Sequence, residues 1–218
     1  MGYIFRMKIT DKRLLRELTE IPELRILDWG CGDGKWIDKI KDSGCVRVSG
    51  LEVSPLYARE EVEIDNDTIG WLESRGEVFD LIFAREAIMY VDKHEQERLW
   101  SALFHALKPE GRLYVQGFNG ALVTSQYPFQ KDLGIKFVVN EVLLRNLAEG
   151  AGFEAIELRG VIPNNRTPIG WLISALSRLY TELSYRFRFF LERGIDQQNP
   201  KLFTKAVLLT GTKQGVKN

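Results

Sequence analysis

The chain has 218 residues, 44% of them hydrophobic and 28% charged, with 30 Lys+Arg balancing 30 Asp+Glu. That composition excludes a disordered or fibrous chain and suffices for one packed core with insertions. No run approaches the ~20 apolar residues that cross a bilayer. The two cysteines, Cys31 and Cys45, are too few for a disulfide framework and lack metal-ligand spacing. A reducing, cytoplasmic protein without a metal is therefore expected.

The opening "MGYIFRMKITDKRLL" lacks the apolar core of a signal peptide, and Arg6 stands where myristoylation needs Ser or Thr. A polar helix is expected near residues 11–20. Strand-like and helix-like segments then alternate, which predicts an α/β fold with a mostly parallel sheet. "RILD" reads as a buried first strand. "GKWIDKIKDSG" is a helix with Trp36, Ile37 and Ile40 on one face and Gly44 as its stop. "VRVSGLE" is a second strand ending on Glu52, and "SPLYAREE" opens as a helix with Pro after Ser. "VEI" is a short third strand, "DTIGWLESRG" a helix, and "VFDLIFA" the least ambiguous strand.

"DKHEQERLWSALFHALKPEG" places Leu99, Leu103, Phe104 and Leu107 on one helical face, with Pro-Glu-Gly as its end. "RLYVQGF" is the fifth strand. A loop-rich stretch with Tyr127, Pro128 and Phe129 leads to the helix "NEVLLRNLAEGAG". "FEAIELRG" and "KAVLLTGT" complete seven strands. Over forty residues separate these last two strands. They hold an amphipathic helix with Leu172, Leu176, Leu179, Leu183 and Phe187 on one face. Ser174, Ser177, Thr181, Ser184 and Arg188 lie on the other. From Arg159 onward ten Lys/Arg stand against three Asp/Glu. This basic end faces an anionic substrate, a membrane surface or nucleic acid, or is simply solvated.

The first strand runs into a glycine-rich turn, "ILDWGCGDGKW". A P-loop would need Gly at position 29 and Ser or Thr at 36, where Trp29 and Trp36 stand. A dinucleotide fingerprint would need its third Gly at position 35. Lys35 is there, and the third glycine comes one residue early, at Gly34. What "ILDWGCGDG" resembles is the L-D-x-G-C-G-x-G turn of class I S-adenosylmethionine-dependent methyltransferases. "FDLIFAREAIMYV" and "LKPEGRLYV" resemble that family's fourth- and fifth-strand motifs. The resemblance covers residues 24–115, with weaker agreement through "GFEAIELRG".

The resemblance implies a Rossmann-like, doubly wound, seven-stranded, mostly parallel sheet with an amphipathic helix inserted before the last strand. It implies one domain over residues 1–218, with substrate-side insertions at 117–139 and 161–204. It implies S-adenosyl-L-methionine as cofactor, with Asp28 toward the ligand's ammonium group and Gly30, Cys31, Gly32, Gly34 and Trp36 around the turn. Glycines there let backbone approach a ligand without Cβ obstruction. Glu52, about 20 residues on, would accept the ribose hydroxyls, with Val53 beside it. Asp67 would meet the adenine amino group, with Asp65 as its competitor, and Thr68 would contribute a backbone contact. Arg85 completes the cofactor set.

In such sheets the site lies beyond the carboxyl ends of the strands, which gathers Arg85, Glu86, Tyr90, Gln116, Phe118 and Asn119. Glu86 and Tyr90 are the base or orienting candidates, and Arg85 suits an anionic acceptor, with a strand-end ion pair as the plain alternative. His94 and His105 are more ordinarily exposed or structural. The N/D-P-P-Y/F motif of nucleobase amino methylation and the paired-glutamate loop of arginine methylation are absent. A small-molecule or glycan acceptor methylated at oxygen is expected. The end of the chain is similar to methyltransferases of surface-polysaccharide pathways. The inserted helix, residues 171–193 from Trp171 through Arg193, is a lid, a peripheral membrane contact or a packing element. An RNA or protein methyltransferase, and a non-catalytic cofactor-binding scaffold, are the competing readings.

Overall fold

The computed structural model describes residues 23–122, 131–161, 167–194 and 200–215. The expected opening helix at 11–20 and the aromatic trio Tyr127, Pro128 and Phe129 lie outside them. Seven strands form one sheet in the order β3-β2-β1-β4-β5-β7-β6. They are β1 (Arg25–Trp29), β2 (Arg47–Glu52), β3 (Val62–Ile64), β4 (Phe79–Arg85), β5 (Leu107–Phe118), β6 (Glu154–Val161) and β7 (Ala206–Thr212). The first five run parallel, and β7 is antiparallel to both neighbours. The helices are α1 (Lys35–Asp42), α2 (Thr68–Glu73), α3 (Gln96–Ala106), α4 (Glu141–Gly150) and α5 (Pro168–Arg193). This is the expected seven-stranded α/β architecture, with α5 inserted before the last strand.

The central strands are apolar on both sides because helices cover both faces. Ile26, Leu81 and Phe83 pack with Trp36, Ile37 and Ile40 of α1 on one face. Leu27, Ile82 and Ala84 meet the other face with residues of α2, α3 and α4, including Trp71, Leu99, Trp100 and Leu144. Local chemistry sets the helix ends. The Asp67 carboxylate accepts from Gly70 N at 2.9 Å and starts α2, and Asn140 Oδ1 accepts from Leu143 N at 2.8 Å and starts α4. Past α1, Gly44 adopts φ +98° and its N–H meets Lys41 O at 2.9 Å, a stop that glycine fills without strain.

Two expectations change. The "SPLYAREE" segment is a single 3₁₀ turn, Pro55–Tyr57. Arg59 then bridges to Val62 across a tight reversal, so the chain turns back before a helix can grow. Leu107 belongs to β5, not to the α3 face. The Lys-Pro-Glu-Gly sequence ends the helix but is carried inside the longer strand, where Phe79 pairs with Leu107 and the register shifts before Leu81.

Asn119, expected near the reacting centre, is buried at the end of β5 and serves the fold. Its Nδ2 donates to Leu202 O (2.7 Å) and Thr204 O (2.9 Å), and its Oδ1 accepts from Ala121 N (3.1 Å). The amide thereby fastens the return from α5 to the sheet. Replacing Asn119 with Ala should leave those carbonyls unpaired and cost about 2 kcal/mol of stability, read as a lower urea midpoint with unchanged slope. An unchanged midpoint would refute this assignment.

Candidate active site

The glycine turn joins β1 to α1 at the carboxyl edge of the sheet. Gly30, Gly32 and Gly34 all have positive φ, at +70°, +54° and +73°, the left-handed region that disfavours side chains. The three glycines differ in what surrounds them. A Cβ on Gly30 would lie 2.3 Å from the Ala87 Cβ, and one on Gly34 would lie 2.7 Å from Arg59 Nη1. A Cβ on Gly32 would meet nothing within 4 Å, so that backbone faces open space.

The open space is a cavity of about 550 Å³ lined by the turn, the end of β2 and the residues following β4, within the usual range for small-ligand sites. Of the expected cofactor residues, Gly30, Gly32, Glu52, Val53, Thr68 and Arg85 line it, as do the catalytic candidates Glu86 and Tyr90. Glu52 ties the wall together. Its Oε2 accepts from Gly32 N at 2.8 Å, and its Oε1 accepts from Val53 N at 2.8 Å and Ser54 N at 3.3 Å. A carboxylate offers about four acceptor positions, so it keeps capacity toward a diol in the cavity.

The remaining candidates stand behind or beside that wall. Asp28 is buried within β1, and burial pushes its carboxyl up to about 7, with Arg85 opposing and Glu52 adding to the rise. Burial likewise pushes the Cys31 thiol up to about 12, with Asp28 and Glu52 adding, so it is not a thiolate nucleophile. Trp36 packs edge-on against Phe83 in the core at 5.6 Å, and the Arg85 guanidinium lies 4.4 Å from its ring centre. Trp36 therefore holds Arg85 in place and does not line the cavity. Asp67 is engaged as the α2 cap, while Asp65 Oδ1 accepts from Asp67 N at 2.8 Å.

After β4 the chain crosses over the cavity. Glu86 sits at φ +58°, a conformation uncommon outside glycine and often found at functional positions. Its N–H donates to Gln116 O at 2.7 Å, and its Oε1 accepts from Gln116 Nε2 at 3.2 Å. Tyr90 donates its hydroxyl to Asp132 Oδ2 at 2.7 Å, and Asp132 Oδ1 accepts from Gly134 N at 2.9 Å. Burial, then the Asp132 hydrogen bond, push the Tyr90 phenol up to about 12, and the same bond holds Asp132 below the usual carboxylate range. His94 is exposed on the 3₁₀ turn Lys93–Glu95, and the His105 Nδ1 lies 2.7 Å from Ser101 O on α3. Neither lines the cavity.

Trp29, Tyr57, Ala87, Val91 and Asp132 also line the cavity but were not singled out in the sequence. Trp29 was visible as part of the turn motif. Tyr57 and Asp132 sit on segments with no motif or period, and their distance along the chain from the turn hid their proximity.

A family model described as a methyltransferase domain matches residues 5–158. The chain belongs to that family, as a class I, Rossmann-like, S-adenosylmethionine-dependent methyltransferase. The chain is similar to a SAM-dependent methyltransferase of Archaeoglobus fulgidus, at 16% identity and TM-score 0.66, covering 93% of this chain and 92% of that one. It is also similar to phosphoethanolamine N-methyltransferase 2 of Haemonchus contortus in complex with S-adenosyl-L-methionine, at 19% identity and TM-score 0.56. That match covers 98% of this chain but 55% of the nematode protein, so the chain spans about half its length. The [4+2]-cyclase SpnF has the same fold, at 19% identity and TM-score 0.59, with 93% and 79% covered. A comparison with curated proteins gives no match.

Replacing Gly32 with Val puts a branched side chain at φ +54° and into the cavity. Affinity for adenosylmethionine measured by calorimetry should fall at least ~100-fold, and unchanged affinity would mean the cofactor lies elsewhere. Asp28 gives a stability prediction. Its folded value of about 7 is raised above the ordinary 3.8. Its contribution is therefore full below pH ~4 and is lost as pH rises through ~7, amounting to up to about 4 kcal/mol. In Asp28→Asn the stability difference between pH 5 and pH 8 should shrink, as read from urea midpoints in the absence of ligand. A variant with the parent's pH dependence would contradict this.

Proposed function

We propose that this methyltransferase acts on a hydroxyl of a small-molecule or glycan acceptor held between Glu86, Tyr90 and Arg85. The observation that carries the reading is that Glu86 and the Tyr90–Asp132 pair line the same cavity as Gly30, Gly32 and Glu52. The residues fit the cofactor. Gly32 leaves its backbone bare to the cavity, and Glu52 offers unused acceptor capacity to a ribose. Gly30, Gly32, Val53 and Thr68 would line its bed, Asp28 would lie behind the turn, and Asp67 at the α2 start would meet the adenine. When bound, adenosylmethionine supplies a methyl group already activated on a sulfonium.

The protein's tasks are then to orient the acceptor, to exclude water and to take a proton. Tyr90 has committed its only proton to Asp132, so it receives a hydrogen bond from an acceptor hydroxyl. Glu86 takes the proton of the hydroxyl that is methylated. Gln116 fixes the Glu86 carboxylate, and the strained backbone at Glu86 is held by the Gln116 carbonyl. Arg85, braced on Trp36, suits an anionic group on the acceptor. Residues 117–139 and 161–204 serve as substrate-side insertions of one domain. The setting is cytoplasmic, with peripheral membrane contact through residues 171–193, and the acceptor fits surface-polysaccharide chemistry.

Methyl-labelled cofactor incubated with fractionated cell extract tests the acceptor class. Label should enter a glycan, lipid-glycan or small-molecule fraction. Label in RNA or protein would overturn the acceptor, and no transfer with intact cofactor binding would make the chain a scaffold. Once an acceptor is in hand, Glu86→Gln should lower kcat by roughly 100-fold or more. Tyr90→Phe should act mainly on KM. Full turnover in Glu86→Gln would remove it as the base.

A further inference from the structure

Helix α5 has its apolar face turned the opposite way from a core helix. Leu176, Tyr180, Leu183 and Phe187 are 59%, 75%, 58% and 61% exposed, and Ile169 at one end and Leu191 at the other are 73% and 65% exposed. At 100° per residue these side chains fall within one stripe along a helix about 39 Å long. An isolated exposed leucine needs no explanation, but a contiguous stripe of this size marks an interaction surface.

The body of the protein holds the other face. Tyr185 and Phe189 lie 5.7 and 6.2 Å from the Phe203 ring, and the Arg186 guanidinium lies 5.7 Å from the same ring. The outer stripe therefore cannot fold back onto the core without releasing these contacts. Charge identifies what covers it. The helix carries four arginines, Arg178, Arg186, Arg188 and Arg193, against two glutamates, Glu182 and Glu192. On the helical projection Arg186 flanks one side of the stripe and Arg188 the other, and no acidic residue falls within it. Glu182 is paired with Arg186 at 2.8 Å. An apolar stripe bordered by arginines is suited to a bilayer surface with anionic headgroups, where the arginine stems reach along the apolar face and the guanidiniums meet phosphates.

We infer that the outer face of α5 seats this protein on an anionic membrane surface. This deepens the proposed function and rests on it for the consequence that follows. The register Phe118↔Ala206↔Val161 places the end of β6, from which the α5 insertion departs, at the same rim of the sheet as the end of β5. The carboxyl edge at that rim also bears the cavity. The α5 insertion thus leaves the sheet on the cavity's side, the side from which an acceptor carried at a bilayer surface would approach. No described helix is long and apolar enough to cross the membrane, so the contact is peripheral.

The test is flotation of the full chain with vesicles of phosphatidylcholine alone and of phosphatidylcholine with phosphatidylglycerol. The protein should float with the anionic vesicles and remain largely free with the neutral ones. Leu176→Glu with Leu183→Glu should lower partitioning roughly 100-fold, since two half-exposed leucines each contribute about tenfold. Arg188→Gln should reduce the preference for anionic lipid at least several-fold. Thermal midpoint and adenosylmethionine affinity should be the same in all variants, which shows that they are folded. No flotation by the parent chain overturns the proposal. A dimer in sedimentation equilibrium that the leucine variant converts to monomer, without vesicle binding, assigns the face to a second copy and also overturns it. Cofactor calorimetry on the same samples separates the two readings. Binding without flotation removes only the membrane contact, and flotation without binding removes only the proposed function.

Discussion

The Glu52 carboxylate is the constraint on which the site depends. It receives Gly32 N from the turn after β1 and Val53 N and Ser54 N from the turn after β2. Those turns end adjacent parallel strands, and neither contains a regular element that would hold it. One charged acceptor with three backbone donors binds them into a single wall, and hydrogen bonds to a charged group are stronger than neutral ones. Gly30 N, donating to Leu51 O at 2.8 Å, adds the neighbouring stitch. With the wall set, the close approach of Gly30 to Ala87 fixes how near the segment after β4 can come. The cavity is the space left between these two.

The second half of the cavity follows from the first. Glu86 takes up its left-handed conformation because Gln116 of β5 holds both its backbone N–H and its carboxylate. Tyr90 is then delivered one 3₁₀ turn later, opposite Asp132. Acidic and phenolic groups thus line the same cavity as the open glycine backbone. Such a cavity suits the proposed transfer between two bound molecules. The fold alone does not define that chemistry, as the similarity to a cyclase illustrates.

The sheet and the glycine turn were legible in the sequence because each has a local cause. Buried parallel strands are continuous apolar runs, and a turn that needs positive φ at three alternate positions has to be written in glycine. The 3₁₀ turn at Pro55–Tyr57 was not legible, since Ser-Pro starts a helix equally well and only the reversal at Arg59 decides. The α3 end at Leu107 failed for a similar reason: an apolar residue fits a helix face and a buried strand alike. Its position after β5 points Asn119 toward the site, but its partners at Leu202 and Thr204 are over eighty residues away. Asp132 was missed because nothing in its loop signals a tyrosine 42 residues earlier. The α5 pattern is amphipathic, yet periodicity says which residues share a face and not which way that face looks.

The proposed cofactor bed lies between the glycine turn and the segment after β4. Ultraviolet cross-linking of methyl-labelled adenosylmethionine to the full chain, followed by peptide mapping, tests it most directly. Label should enter the peptides that contain Trp29 to Gly32 or Arg85 to Tyr90, and should be lost when excess unlabelled adenosylmethionine competes. Competed label in the separate cavity formed by Asn140, Leu143 and Phe189, with none in those peptides, would contradict it.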